Sequence, residues 1–238
     1  MSIWLLDAPD GFGDARPHAH HAIQLTISLS GGLELRNDDF SERGPAIAVD
    51  ADVPHRFQAH GLLAIIFVEP ESRSGRALRR ILFADRALAS FDAGPLAPAL
   101  APLAAAFDAE TTADQLLQAG QQAVSALLPE IRAPLPDPRI RRVIDRASMH
   151  LDDSLERAAD AAGVHLSSSR LRHLFVEQTG LAFRTYLLWL RLVRALDVYA
   201  QGKSLTEAAH AAGFADSAHL SRTFKRNFGL PATTLERL

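Results

Sequence analysis

The chain has 238 residues, long enough for two modest domains. It has no cysteine, which excludes disulfides, thiolate zinc sites and thiol redox chemistry. Its formal charge of −3 hides an asymmetry: residues 1–138 hold 10 Lys/Arg against 18 Asp/Glu, net −8, and residues 139–238 hold 15 against 10, net +5. That split predicts that the second half meets a polyanion while the first does something else. A charge of +5 holds phosphates weakly at physiological salt, and a dimer would help. The N-terminus carries Asp7, Asp10 and Asp14 and lacks a basic start, which argues against a signal peptide. No stretch approaches the ~20 apolar residues of a membrane span, so a cytoplasmic protein is expected.

Residues 1 to about 70 read as strands. Ile23 to Leu29 alternates apolar and polar with period two. Ser30-Gly31-Gly32 is a turn, Leu33 to Arg36 a returning strand, and Asn37-Asp38-Asp39 another turn. Ala46 to Val49 and Leu62 to Val68 are further strands, separated by Pro54-His55. Short strands with glycine and proline turns fit a small β-barrel or jelly roll.

His18, His20 and His21 precede the first clear strand, and His55 follows Pro54. The segments HAHHAIQ and GPAIAVDADVPH, with a glycine pair between them, resemble the two signature segments of a cupin barrel. The resemblance covers about residues 14–70. It implies that His18, His20 and His55 match the metal-binding histidines, with Gln24 where a glutamate is expected. A neutral glutamine is a poorer ligand for a divalent cation. Three readings stand: histidines that shape the barrel mouth, contacts to a small effector, and a metal on His18, His20 and His55.

Residues 71–133 turn helical. Helices are expected at Arg76 to Phe83, Leu96 to Phe107 and Ala113 to Leu128. The last offers a broad apolar face of Leu116, Leu117, Ala123, Val124, Leu127 and Leu128, for a dimer contact or for its own barrel. Residues 134–138, PLPDP, are a stiff linker. Asp137 can cap the next helix with Pro138 in its first turn. That helix has Ile140, Val143, Ile144, Ala147 and Leu151 on one face. Arg139, Arg141, Arg142 and Arg146 crowd it, and a solvated face accounts for them.

The remainder says one thing twice. Leu155, Ala158, Ala159, Ala162 and Gly163 recur as Leu205, Ala208, Ala209, Ala212 and Gly213. After one dropped residue, Leu171, Phe175 and Gly180 recur as Leu220, Phe224 and Gly229. Each copy reads as a helix–turn–helix. Ser154 and Ser204 are N-caps, Glu207 completes a capping box, Gly163 and Gly213 stop the first helices, and Ser167 or Ser168 and Asp216 start the second. In the second helices Leu171, Leu174, Phe175 and Gln178, then Leu220, Thr223, Phe224 and Phe228, share one face. Ser169, Arg172, His173 and Val176, then Ala218, Ser221, Arg222 and Lys225, share the other. Small and basic outward residues suit a helix laid in a DNA major groove. Between the copies Phe183 to Tyr199 has no proline or glycine and reads as one helix, with Leu187, Leu190, Arg191 and Arg194 at helical spacing.

The A-x3-G turns, LRHLFVEQTG followed by FRTYLLWLRLVRA, and GFADSAHLSRTFKRNFG resemble the DNA-binding domain of AraC-type (arabinose-regulator) transcription regulators. The resemblance covers about residues 139–237. It implies two helix–turn–helix units that read neighbouring major-groove segments. The implied base readers are Ser169, Arg172 and His173 in the first unit and Ala218, His219 and Arg222 in the second. Ser221 lies on the same face, and Lys225 and Arg226 are phosphate contacts. Two features depart from the pattern: Pro231 stands one place early after Gly229, and Ala218 cannot read a base by hydrogen bond.

The expected fold is α+β in two domains. Residues 1–133 form a cupin-like β-barrel with following helices. Residues 139–238 form an all-α domain with two helix–turn–helix units on a long helix. The expected function is sequence-specific transcription regulation. Partners are double-stranded DNA, a small effector held by His18, His20, Gln24 and His55, a second copy of the chain, and RNA polymerase if it activates. No catalytic residue and no cofactor is expected. The alternative is a cupin metalloenzyme with an accessory helical domain.

Overall fold

A computed structural model describes residues 1–13, 16–105, 112–128 and 135–232. Asp14, Pro134 and the chain beyond Ala232 lie outside the described residues. There are two compact units, one of Met1–Ala133 with the chain from Arg226, the other of Pro134–Lys225.

In the first unit, strands β1 (Ser2–Gly13), β2 (Ile23–Ser28), β3 (Gly32–Arg36), β4 (Ser41–Arg43), β5 (Ala46–Val49), β6 (Arg56–Val68) and β7 (Leu88–Ser90) form one antiparallel sheet. Its order is β4-β3-β6-β2-β5-β7, with β1 also on β6. The ends of the sheet approach, β4 nearing β7, so it curls into a near-closed barrel. β6 is its spine. It is longer than the expected 62–68, because residues 56–60 pair with β3 and residues 63–68 with β2. Gly61 permits that change of partner. Its φ is +85°, and a Cβ there would strike the Ser30 carbonyl oxygen.

β7 corrects the wholly helical reading of residues 71–133. Leu88 and Ala89 are buried where they pair with Val49 and Ala48. An open sheet edge outweighs the weak helix preference of so short a run. Helices α1 (Arg73–Leu82), α2 (Ala97–Ala105) and α3 (Ala113–Leu127) complete this unit. α3 starts on a capping box of Thr112 and Gln115. It lays Leu116, Ala119, Ala123 and Val124 into a core with Ile3, Ile23, Leu25, Ile66 and Leu78. Much of its expected apolar face is therefore used inward, while Leu117 stays exposed.

The second unit holds α4 (Pro138–Met149), α5 (Leu155–Ala161), α6 (Ser168–Thr179), α7 (Phe183–Ala200), α8 (Leu205–Ala211) and most of α9 (Ser217–Phe228). Asp137 caps α4, its Oδ1 accepting from the Arg139 amide at 2.9 Å. Ile140, Val143 and Ala147 of α4 pack with Leu155, Ala159, Leu171, Leu174 and Phe175. α7 is continuous, about 27 Å long at 1.5 Å per residue. Its buried stripe is Phe183, Tyr186, Trp189, Leu192, Ala195 and Val198, while the Leu187, Leu190, Arg191 and Arg194 set is half-buried or exposed. Both sets keep helical spacing. The aromatic rings take the inside because they remove the most apolar area from water.

Candidate nucleic-acid interface and barrel site

Each helix–turn–helix is set by the same local chemistry. Ser154 Oγ accepts from the Arg157 amide at 3.2 Å, and Ser204 Oγ from the Glu207 amide at 3.2 Å. The Glu207 carboxylate accepts back from the Ser204 amide at 2.9 Å, closing the box. The first helices end at Gly163 and Gly213, with φ of +66° and +75°, a turn only glycine enters cheaply. The second helices open on Ser167, which accepts from the Arg170 amide at 3.4 Å, and on Asp216, which accepts from the His219 amide at 2.6 Å. Ala158, Ala159, Ala208 and Ala209 are buried, and their small size lets the helices close around each turn.

Burial sorts the two faces. Leu171, Leu174 and Phe175 are buried in α6, as are Leu220, Thr223, Phe224 and Phe228 in α9. Ser169, Arg172, His173, Ala218, His219, Arg222, Lys225 and Arg226 are exposed, and Ser221 is half-buried. Arg172 donates to Glu156 Oε1 at 2.7 Å from a side chain two-thirds exposed. Such an exposed pair is worth little, so the guanidinium can leave it at low cost. The His219 ring stands edge-on to Phe214, centroids 5.2 Å apart. Ser221 Oγ donates to the Ser217 carbonyl at 2.8 Å, which leaves it lone pairs but no proton for a base.

Sequence reasoning named Arg191 only for its spacing and missed that it acts on both helix–turn–helix elements. Arg191 of α7 donates from Nη2 to the Leu151 carbonyl at 2.9 Å and to Asp152 at 3.0 Å, beside the first helix–turn–helix. Its Nη1 donates to the Gly213 carbonyl at 3.3 Å, in the turn of the second. One guanidinium thus ties both units to the connecting helix. Arg191→Met is expected to cost about 2 kcal/mol, since hydrogen bonds from a charged donor are lost. Urea denaturation measures it, and an unchanged midpoint would remove the clamp.

In the first unit the barrel histidines converge. His18, His20 and His55 are buried, and each offers a ring nitrogen within 4.8 Å of the others. The backbones of His18 and His55 bond in a two-way bridge, at 3.0 and 2.9 Å. His20 Nδ1 lies 3.1 Å from the Ala22 carbonyl oxygen. Burial, and then the neighbouring His18, push its pKa down to about 4, so the ring is neutral at pH 7. Gln24 Oε1 lies 2.9 Å from His20 Nε2, and Gln24 Nε2 donates to Thr26 Oγ1 at 2.8 Å. His55 Nδ1 lies 2.8 Å from the Val53 carbonyl, and burial holds its pKa well below 6.5.

The three imidazoles fit a divalent cation in number and spacing. Seating one requires Gln24 to release His20 Nε2. Being neutral in the fold, His20 and His55 oppose acid. Unfolding frees them to take protons, so stability is lost as pH falls below about 6.5. For His20 the loss reaches on the order of 3 kcal/mol near its folded pKa of about 4. His20→Gln should flatten that acid limb in urea melts, and an unaltered slope would contradict the assignment.

Two successive helix–turn–helix units lie on one connecting helix, with small and basic residues outward. Residues 161–237 match the family described as a helix-turn-helix domain. The chain is 40% identical over 98 residues to the uncharacterized HTH-type transcriptional regulator YidL of Escherichia coli K12, covering 39% of this chain and 33% of that protein. It is 35% identical over 94 residues to the HTH-type transcriptional activator RhaS of Escherichia fergusonii, covering 39% and 34%. The matched stretch thus spans about a third of these relatives. In fold the chain is similar to ToxT of Vibrio cholerae O395, with a TM-score of 0.58 and 12% identity over 98% of this chain and 94% of that one. Among the described residues no helix is long and apolar enough to cross a membrane.

Proposed function

We propose that this chain is a sequence-specific transcription regulator of the AraC type, working in the cytoplasm and modulated by a small effector in its barrel. Residues 139–238 bind double-stranded DNA, residues 134–138 link, and residues 1–133 sense the effector and pair two copies. The observation that carries this reading is the duplicated cap–glycine–cap geometry, with Arg172 and Arg222 exposed on equivalent helices. Ser169, Arg172, His173, His219 and Arg222 face base edges, Ala218 lets α9 sit close, and Lys225 and Arg226 hold phosphates. Adjacent major-groove segments lie about 34 Å apart, so the continuous α7 and its Arg191 clamp set the register of the two readers. Effector contacts fall to His18, His20, Gln24 and His55. ToxT has been solved with (E)-4-(8-methylnaphthalen-1-yl)but-3-enoic acid and with an unsaturated fatty acid bound, which supports a ligand-binding role for a chain of this fold. If the chain activates, RNA polymerase is a further partner.

Genome-wide mapping of bound DNA, followed by mobility shifts on the recovered fragments, tests the reading. Discrete sites bound ~10³-fold or more above random DNA at equal salt are expected. Affinity equal to that for random DNA would overturn it. The three-histidine cluster keeps a cupin metalloenzyme as rival. Near-stoichiometric iron, zinc or manganese in the purified protein, lost in His20→Ala, would favour that rival.

A further inference from the structure

We propose that the first unit carries a second ligand feature, an anion pocket at the β3–β6 ladder that takes the carboxylate of a small polar acid. Arg36 and Arg56 are direct partners in the β3–β6 register, so their side chains leave the same face of the sheet side by side. Like charges directly opposite in an antiparallel pair destabilise it. Among the described residues neither arginine makes an ion pair, although Glu34 acts on Arg36 from a distance. Glu34, the carboxylate on β3, is committed to Arg43 at 2.9 Å and to Ser41 at 2.9 Å. The Arg56 Nε is fully buried and has no hydrogen-bond partner among the described residues. A buried donor left in that state costs free energy until something accepts from it.

The same two arginines line a cavity of about 240 Å³ with Asn37, Asp38 and His55. Asn37 Oδ1 accepts from the Asp39 amide at 2.9 Å and the Phe40 amide at 2.7 Å, which leaves the side-chain NH2 as a further donor. Two guanidinium forks and an amide suit an oxyanion, and arginine binds carboxylates bidentately. Asp38 on the wall repels a second negative charge, which favours a monoanionic carboxylate over a phosphate dianion. The volume lies below the ~300–1,000 Å³ of drug-sized sites, so the acid is small. This inference rests on reading the barrel as a sensor, and it names the class of molecule sensed.

The test is thermal unfolding of the full chain at fixed ionic strength, with sodium chloride replaced by sodium acetate, lactate, succinate or phosphate. A carboxylate is expected to raise the Tm saturably, by roughly 5 °C or more. The exposed Arg36→Gln should raise the Tm in chloride, by relieving the charge pair, and abolish the response to carboxylate. Arg56→Gln should abolish it as well. No response to any carboxylate in the parent chain, an equal response in both variants, or a response to phosphate alone would overturn the pocket. Mobility shifts on the same preparations separate this from the regulator reading. Protein that binds DNA but no carboxylate sinks the pocket alone. Protein that responds to carboxylate but binds no DNA supports the pocket and sinks the regulator.

Discussion

Replacing Arg172 and Arg222 together by alanine is expected to lower affinity for a specific site by about 2–6 kcal/mol, roughly 30-fold to more than 10,000-fold. Each arginine stands on the exposed face of its own reading helix, and each bidentate contact to a guanine is worth about 1–3 kcal/mol. The two contacts would fall in different groove segments, so the losses add. Neither side chain supports the helix core, which rests on Leu171, Leu174 and Phe175 in α6 and on Leu220 and Phe224 in α9. The double variant should therefore melt like its parent. Random DNA should lose far less than the specific site, because the phosphate contacts proposed for Lys225 and Arg226 are left intact. An equal loss on specific and random DNA, with a shallower salt slope, would make both arginines phosphate clamps and move base reading elsewhere. Glu156→Gln is the companion measurement: it frees the Arg172 guanidinium from its 2.7 Å partner without altering α6.

The parts of this design that were legible in the sequence are the local ones. Ser154, Ser204, Gly163, Gly213 and Asp216 announce caps and turns within a few residues, and each does in the structure what its type prescribes. β2 and β5 were legible because their alternation or apolar run is complete in one short segment. What stayed hidden depends on pairing between distant segments. β1 carries no clean alternation and owes its existence to the far edge of β6. The Arg36–Arg56 juxtaposition follows from register, which a linear reading cannot supply. α7 shows the limit within one helix: leucines and aromatics both recur at helical spacing, and only the packing of Phe175 on Phe183 and Tyr186 decides which stripe turns inward.

The partners of His21 stayed hidden for the same reason, and its replacement carries the second large effect. The ring is buried. Nδ1 lies 3.0 Å from Asp52 Oδ2, and Nε2 lies 3.4 Å from an oxygen of buried Glu71, an ion pair longer than a good hydrogen bond. Burial alone would lower its pKa, but the two carboxylates outweigh burial and hold it at about 9. The imidazolium is thus the charged form in the fold at neutral pH. The folded pKa lies above the unfolded value of 6.5, so the stabilisation is complete below about pH 6.5 and disappears as pH rises through about 9. Its size is on the order of 3 kcal/mol. His21→Ala should cost about 3–5 kcal/mol at pH 6.5, because it removes a buried cation that faces both Asp52 and Glu71. The nearly isosteric His21→Gln keeps the packing and tests the charge alone. Urea titrations between pH 6.5 and 9.5 should show the parent weakening by that amount while His21→Gln stays level. Parallel curves for the two proteins would mean that His21 is neutral in the fold and that Asp52 and Glu71 draw their counter-charge from elsewhere.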